Sequence, residues 1–126
     1  MIRTENNEII FGQVGGIMDP LTQADFETRV EKSGVPALVI FTSPDCKPCR
    51  LMSHDLAELE KNFSDRVSFF KVDTSVDTDL TTRMSVVSTP TIIMFVGGKP
   101  VMRLLGFVTQ TDIEKQIEEN LDRYSN

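Results

Sequence analysis

The hydrophobic pattern of this chain changes period several times, and each change marks an element. Residues 37–42, Ala-Leu-Val-Ile-Phe-Thr, form a dense apolar run of the kind that fills a strand covered on both faces. From Cys46 the period becomes helical: Met52, Leu56, Leu59 and Phe63 fall at i, i+4, i+7 and i+11 and make one stripe. Val67-Ser68-Phe69-Phe70-Lys71-Val72-Asp73 predicts a second central strand, and residues 77–84 predict a short helix. Apolar runs at 91–96 and 101–105 flank Gly97-Gly98-Lys99-Pro100, a hairpin signal. Upstream, Thr22 followed by Asp25 resembles a helix start, Phe26 and Val30 share one face of that helix, and Ser33-Gly34 ends it. Downstream, Ile113, Ile117 and Leu121 recur every four residues, with a capping box expected at Thr111 and Glu114. The order is β-α-β-α-β-α-β-β-α. Strands alternating with helices predict an α/β fold: a central mixed sheet, with a parallel core plus an antiparallel C-terminal hairpin, flanked by helices on both faces.

At 126 residues the chain is expected to form one domain with its own core. Residues 1–16 break the pattern. They are polar and mixed in charge, and Gly12, Gly15 and Gly16 close them, so they read as a flexible N-terminal arm, with the domain over residues 17–126. Within the arm, Ile9-Ile10-Phe11 could dock or add an edge strand. The net charge of −6 offers no basic surface to phosphates, which argues against nucleic acid and against acidic membranes as partners. The start of the chain lacks the basic residues and continuous apolar stretch of a secretory signal, and no run is long enough to span a bilayer. A cytoplasmic monomer is expected.

Both cysteines sit in Cys46-Lys47-Pro48-Cys49. Taken bare, such a motif leaves a redox pair, half a metal site and accident all open. Its setting here is a strand before it and an amphipathic helix after it, the context in which it reads as a redox pair. A purely structural disulfide is unattractive, because so small a loop yields little entropic gain.

Four features together resemble the thioredoxin family over about residues 17–124. They are the strand before Cys46, the Cys-x-Pro-Cys itself, Ser88-Thr89-Pro90-Thr91 leading into a strand, and Gly97-Gly98-Lys99 before the last strand with Gly106 after it. The resemblance implies a thioredoxin fold, thiol–disulfide oxidoreductase activity on protein disulfides and no bound cofactor. It also implies re-reduction by a thioredoxin-reductase-type donor. It makes Cys46 the attacking sulfur at an exposed helix tip and Cys49 the resolving sulfur one turn inward. Pro48 falls in the first helical turn, where its missing N–H costs nothing, and Lys47 is a nearby cation. The resemblance further implies a cis Thr89–Pro90 peptide, which the residues alone do not predict. Clients are expected to dock on Thr89, Pro90 and Gly106, with strand addition along the Thr89–Pro90 edge.

The chain also departs from the family pattern. Asp45 stands where thioredoxins usually carry Trp, and the chain has no Trp. Asp45 is expected either to select partners and blunt thiolate formation or simply to cap the helix start. Ile40 stands where a buried Asp is usual, and Phe69 where its Lys partner is usual. An apolar floor of this kind is expected to raise the pKa of Cys49. His54, the single histidine, lies roughly 140° around the helix from Cys49 and shares a solvated stripe with Lys47 and Arg50. The methionines read as core filler, and Asp73, Asp77 and Asp79 do not match a calcium loop. Three rival readings remain: a thiol oxidant or isomerase, a redox-inert binding module on the same fold, and a zinc site shared by two chains.

Overall fold

The computed structural model describes residues 3–5, 7–9 and 18–124. The elements run β1 (Arg3–Glu5), β2 (Asn7–Ile9), β3 (Asp19–Pro20), α1 (Gln23–Phe26, prolonged by a π-helical turn Glu27–Glu31), β4 (Ala37–Thr42) and α2 (Lys47–Phe63), followed by β5 (Ser68–Asp73), α3 (Thr78–Arg83), β6 (Thr91–Val96), β7 (Lys99–Leu105) and α4 (Gln110–Tyr124). β1 and β2 pair antiparallel as a separate two-stranded sheet. The rest of the expected arm, including Ile10, Phe11 and its glycines, lies outside the described residues.

The main sheet has the order β3-β5-β4-β6-β7. β4 pairs parallel with β5, and β5 with β3, while β6 runs antiparallel to both β4 and β7. The antiparallel half therefore begins at β4/β6 and is not confined to the final hairpin. Chain length explains this. Returning to the start of a neighbouring strand means retracing about 20 Å, whereas a six-residue helix rises only about 9 Å. α3 has six residues. The chain thus enters β6 from the end at which it left β5.

Alternation along β4 sends Leu38 and Ile40 to one face and Ala37, Val39 and Phe41 to the other. The first face packs against Met52, Leu56, Leu59 and Phe63 of α2 and Ile113 and Ile117 of α4. The second packs against Phe26, Val30 and Leu80 of the α1–α3 side. Helices cover both faces, as the periodicity predicts.

Two boundaries differ from expectation. α4 starts at Gln110, so its cap is Thr109, whose hydroxyl accepts the Asp112 N–H at 3.2 Å; Thr111 is already helical. β7 starts at Lys99 and includes Pro100, which an edge strand tolerates because its missing N–H faces no neighbour.

Candidate active site

Cys46 is the N-cap of α2, with an extended backbone (φ −95°, ψ 100°), so the cap is not Asp45. Lys47 and Pro48 are the first helical residues, where four N–H groups lack intrahelical partners and a proline loses nothing. Cys46 and Cys49 are joined by a disulfide, with S–S 2.04 Å and Cα atoms 5.2 Å apart. The Cys49 N–H donates to Cys46 Sγ at 3.1 Å, so the first sulfur occupies the place of an ordinary capping oxygen. Arg50 turns away from the sulfurs and donates to the Pro44 carbonyl at 3.3 Å.

The expected exposed tip needs correction. Cys46 is 6% and Cys49 8% exposed, so accessibility does not rank the two sulfurs in the bridged form. The extended backbone at the cap folds the Cys46 side chain back over the first turn. Position along the helix distinguishes the two sulfurs instead: one at the cap, one a turn inward.

The other predicted residues gather at the same end of the sheet. β6 and β7 bring Thr91 beside Phe41 and Leu105, so the segment before β6 meets the segments after β4 and β7. The Thr89–Pro90 peptide is cis. The Thr89 hydroxyl is 3.0 Å from that of Ser43, in the loop that leads to Cys46. Gly106, at φ +76°, donates its N–H to the Pro90 carbonyl at 2.9 Å, a conformation open to glycine. Pro90 itself is buried. Asp45 and Lys47 are exposed on either side of Cys46, and His54 is exposed farther along α2.

Sequence reasoning expects apolar residues around this edge and Gly106 as a docking surface but does not say which they are. Val87 is 96%, Leu105 64% and Phe107 55% exposed. The sequence signal was weak: Leu105 and Phe107 flank the expected docking glycine, but an apolar residue read alone is assigned to the core.

Behind Cys49 lies a cavity of about 250 Å³, lined by Ile40, Thr42, Ser53, Leu56 and Lys71 as well as the cysteine. Ile40 thus does face the second cysteine. Asp73 is engaged elsewhere: the Ser75 hydroxyl and N–H hydrogen-bond its carboxylate at 2.6 and 2.9 Å and hold its pKa below the usual range. Asp77 caps α3 through the Leu80 N–H at 2.9 Å. Among the described residues no group of three or more His, Cys, Asp or Glu side chains is placed to hold a metal ion, and no helix is long and apolar enough to cross a membrane.

Comparison with known proteins agrees with this geometry. The family model described as thioredoxin matches residues 17–119. The chain is 35% identical over 101 residues to thioredoxin M4, chloroplastic, of Arabidopsis thaliana; the match covers 80% of this chain and 52% of that protein, about half its length. It is 33% identical over 101 residues to a thioredoxin of Alicyclobacillus acidocaldarius, covering 80% of this chain and 95% of that one. It is 31% identical over 101 residues to thioredoxin 1 of Synechococcus elongatus, covering 80% and 94%.

Proposed function

The chain belongs to the thioredoxin family, and from that premise we propose that it reduces disulfide bonds in client proteins through Cys46 and Cys49. As a family member it is a thiol–disulfide oxidoreductase. The observation that carries the assignment of roles is the bridged pair at the start of α2, with Cys46 Sγ accepting the Cys49 N–H. A sulfur at a helix N-terminus gains on the order of 0.3–1 kcal/mol as a thiolate from the dipole, less than one pKa unit at about 1.4 kcal/mol per unit. The direct N–H···S bond adds to this, because a charged acceptor makes a stronger hydrogen bond than a neutral one.

The reaction runs in two displacements. Cys46 thiolate attacks one sulfur of the client disulfide; an S–S bond forms between protein and client, and the other client sulfur leaves as a thiolate. Cys49 thiolate then attacks Cys46 Sγ, which re-forms the internal bridge and expels the second client thiolate. The client is reduced by two electrons and the protein oxidised by two. A thioredoxin-reductase-type donor returns them, and the protein works as a cytoplasmic monomer.

Val87, Leu105 and Phe107 support a docking face for clients beside the Thr89–Pro90 edge. Strand addition there uses the backbone of Thr89, since the Pro90 carbonyl already accepts the Gly106 N–H. The test is a trapping pair. Cys49→Ser should accumulate a mixed disulfide with clients through Cys46, and Cys46→Ser should accumulate none. Equal trapping by both variants would reverse or abolish the roles. Equilibration with glutathione fixes the direction: a potential near that of strong thiol oxidants would favour the oxidant reading that Lys47 invites.

A further inference from the structure

We propose that the cavity at the end of the sheet opposite the cysteines is a second binding site. It takes a neutral peptide amide that carries an apolar side chain, as a segment of a partner protein would. The partner is held there while the disulfide stays free to react, whichever sulfur attacks first.

The strands fix its position. Cys46 follows the end of β4, whereas Pro36 precedes its start. β6 begins with Thr91 paired to Phe41 and ends with Val96, beyond the partner of Ala37. Six residues of strand separate the two ends by about 20 Å. α4 brings Asn120, Leu121 and Tyr124 to the same pole as Pro36 and Val96. Between these segments lies a cavity of about 440 Å³, larger than the one behind Cys49. Small-ligand sites fall in the range of about 300–1,000 Å³. Pro36, Val96 and Leu121 give the cavity an apolar lining, and Tyr124, 45% exposed, adds an aromatic ring.

Two polar groups set its chemistry. Asn120 is only 7% exposed, and its Nδ2 donates to the Gln116 carbonyl at 2.8 Å. That bond fixes the side-chain amide, and among the described residues no donor reaches Oδ1. Asn120 lines the cavity, so Oδ1 is the acceptor it offers there. Arg66 lines it as well, lying 4.9 Å from the Phe63 ring centroid and donating through Nη1 to Glu118 Oε1 at 3.2 Å. A guanidinium has further N–H donors, and among the described residues no acceptor takes those on Nη2. Its charge is already offset. Glu118 touches it, Asp65 lies 3.9 Å from Nε, and Asp122 also lines the cavity. The C-terminus of α4 adds the negative end of a helix dipole at this pole.

These groups select the ligand. The negative neighbours disfavour a carboxylate, and Arg66 itself disfavours an ammonium. A neutral amide meets both polar groups: its N–H donates to Asn120 Oδ1, and its carbonyl accepts from Arg66 Nη2. An aliphatic side chain beside that amide removes the apolar surface of Pro36, Val96 and Leu121 from water. A peptide backbone supplies this donor and acceptor pair at every residue except proline, which lacks the donor. Neither cysteine nor the Thr89–Pro90 edge lines the cavity, so occupancy leaves disulfide exchange ungated.

The experiment titrates the full, ¹⁵N-labelled chain in its bridged form with three probes that share a leucine-like side chain. They are N-acetyl-leucine methylamide, N-acetyl-leucine as its carboxylate, and isopentylamine. The neutral amide should shift the signals of Gly97, Leu121 and the Asn120 side chain, with a Kd on the order of 1 mM. Asn120→Leu should weaken it about 10-fold and Arg66→Met about 3-fold, the span expected for single hydrogen bonds. Tyr124→Ala, at a half-exposed position that leaves the fold intact, should weaken it about 3-fold through lost ring contact. The rate of reducing a small disulfide should stay at the wild-type value in all three variants. The carboxylate and the amine should each bind about 10-fold more weakly than the amide. Tighter binding of either charged probe would overturn the neutral-amide assignment. No saturable shift at this pole, or an affinity unchanged in all three variants, would overturn the site itself. Failure of the trapping pair above bears on the cysteines and leaves this site standing.

Discussion

The tip of α2 and the chamber behind it set the two sulfurs in different surroundings. At the tip the means are backbone: an N-cap position, free N–H groups of the first turn and a direct bond from the Cys49 amide to Cys46 Sγ. These come with any helix that starts there, and no single side chain removes them. In the chamber the surroundings are side chains. Ile40 closes the floor and Lys71 stands at the edge, each placed by its strand and not by the helix. The first sulfur is therefore buffered against substitution, and the second is open to tuning. The two faces of the sheet add a second contrast, because the α1–α3 side carries core packing and none of this chemistry.

The largest effect that can break the comparison is loss of the tip sulfur. Cys46→Ser should lower disulfide-reducing activity on the order of a thousandfold or more, as for other nucleophile removals, with the melting temperature of the dithiol form little changed. Activity assays and thermal melts under reducing conditions check it. Next comes a control on the far face. Phe26 is buried and packs edge-on to Phe95, with centroids 5.3 Å apart. Phe26→Ala should cost about 3–5 kcal/mol in denaturant unfolding yet leave the alkylation rate of Cys46 in the folded protein unchanged. Smaller still, Leu105→Ser or Phe107→Ser should raise KM for a protein disulfide about tenfold, near 1.4 kcal/mol, with kcat and the rate on a small disulfide preserved. That split separates docking from sulfur chemistry.

The smallest effect is at Glu60. Its folded pKa lies above the ordinary value of 4.5, chiefly through burial. The native state then binds more protons than the unfolded chain just above that pH, so this group's contribution to stability falls as pH rises from there through the folded pKa. Glu60→Gln should melt higher than wild type at neutral pH, and the difference should close as pH drops below the ordinary carboxylate value. Melting curves across that range read it directly.

How much of this was legible in the sequence depends on what each feature requires. The runs at 37–42 and 91–96 match β4 and β6 residue for residue, because uninterrupted apolar runs leave little choice of element. The cysteine motif and its helix were equally plain. The start of α4 was not. Thr109 with Asp112 and Thr111 with Glu114 are overlapping capping signals two residues apart, and packing of Ile113 and Ile117 decides between them. The direction of β6 needed the length of α3, and the partner of Ile40, which is Lys71 and not the expected Phe69, needed the register of two strands far apart in the chain. Exposure of Val87, Leu105 and Phe107 is equally a tertiary fact. The burial of Cys46 reflects the backbone turn at the cap, which its position in the motif does not disclose.

The central claim, that backbone at the helix tip makes Cys46 the reactive sulfur, is tested most directly by alkylating the fully reduced protein over a range of pH and locating the label by mass spectrometry. Cys46 should label first, with a half-point well below the ordinary cysteine value of about 8.5, and Cys49 should lag behind it at every pH. Identical profiles for the two residues, both centred on the ordinary value, would contradict the account.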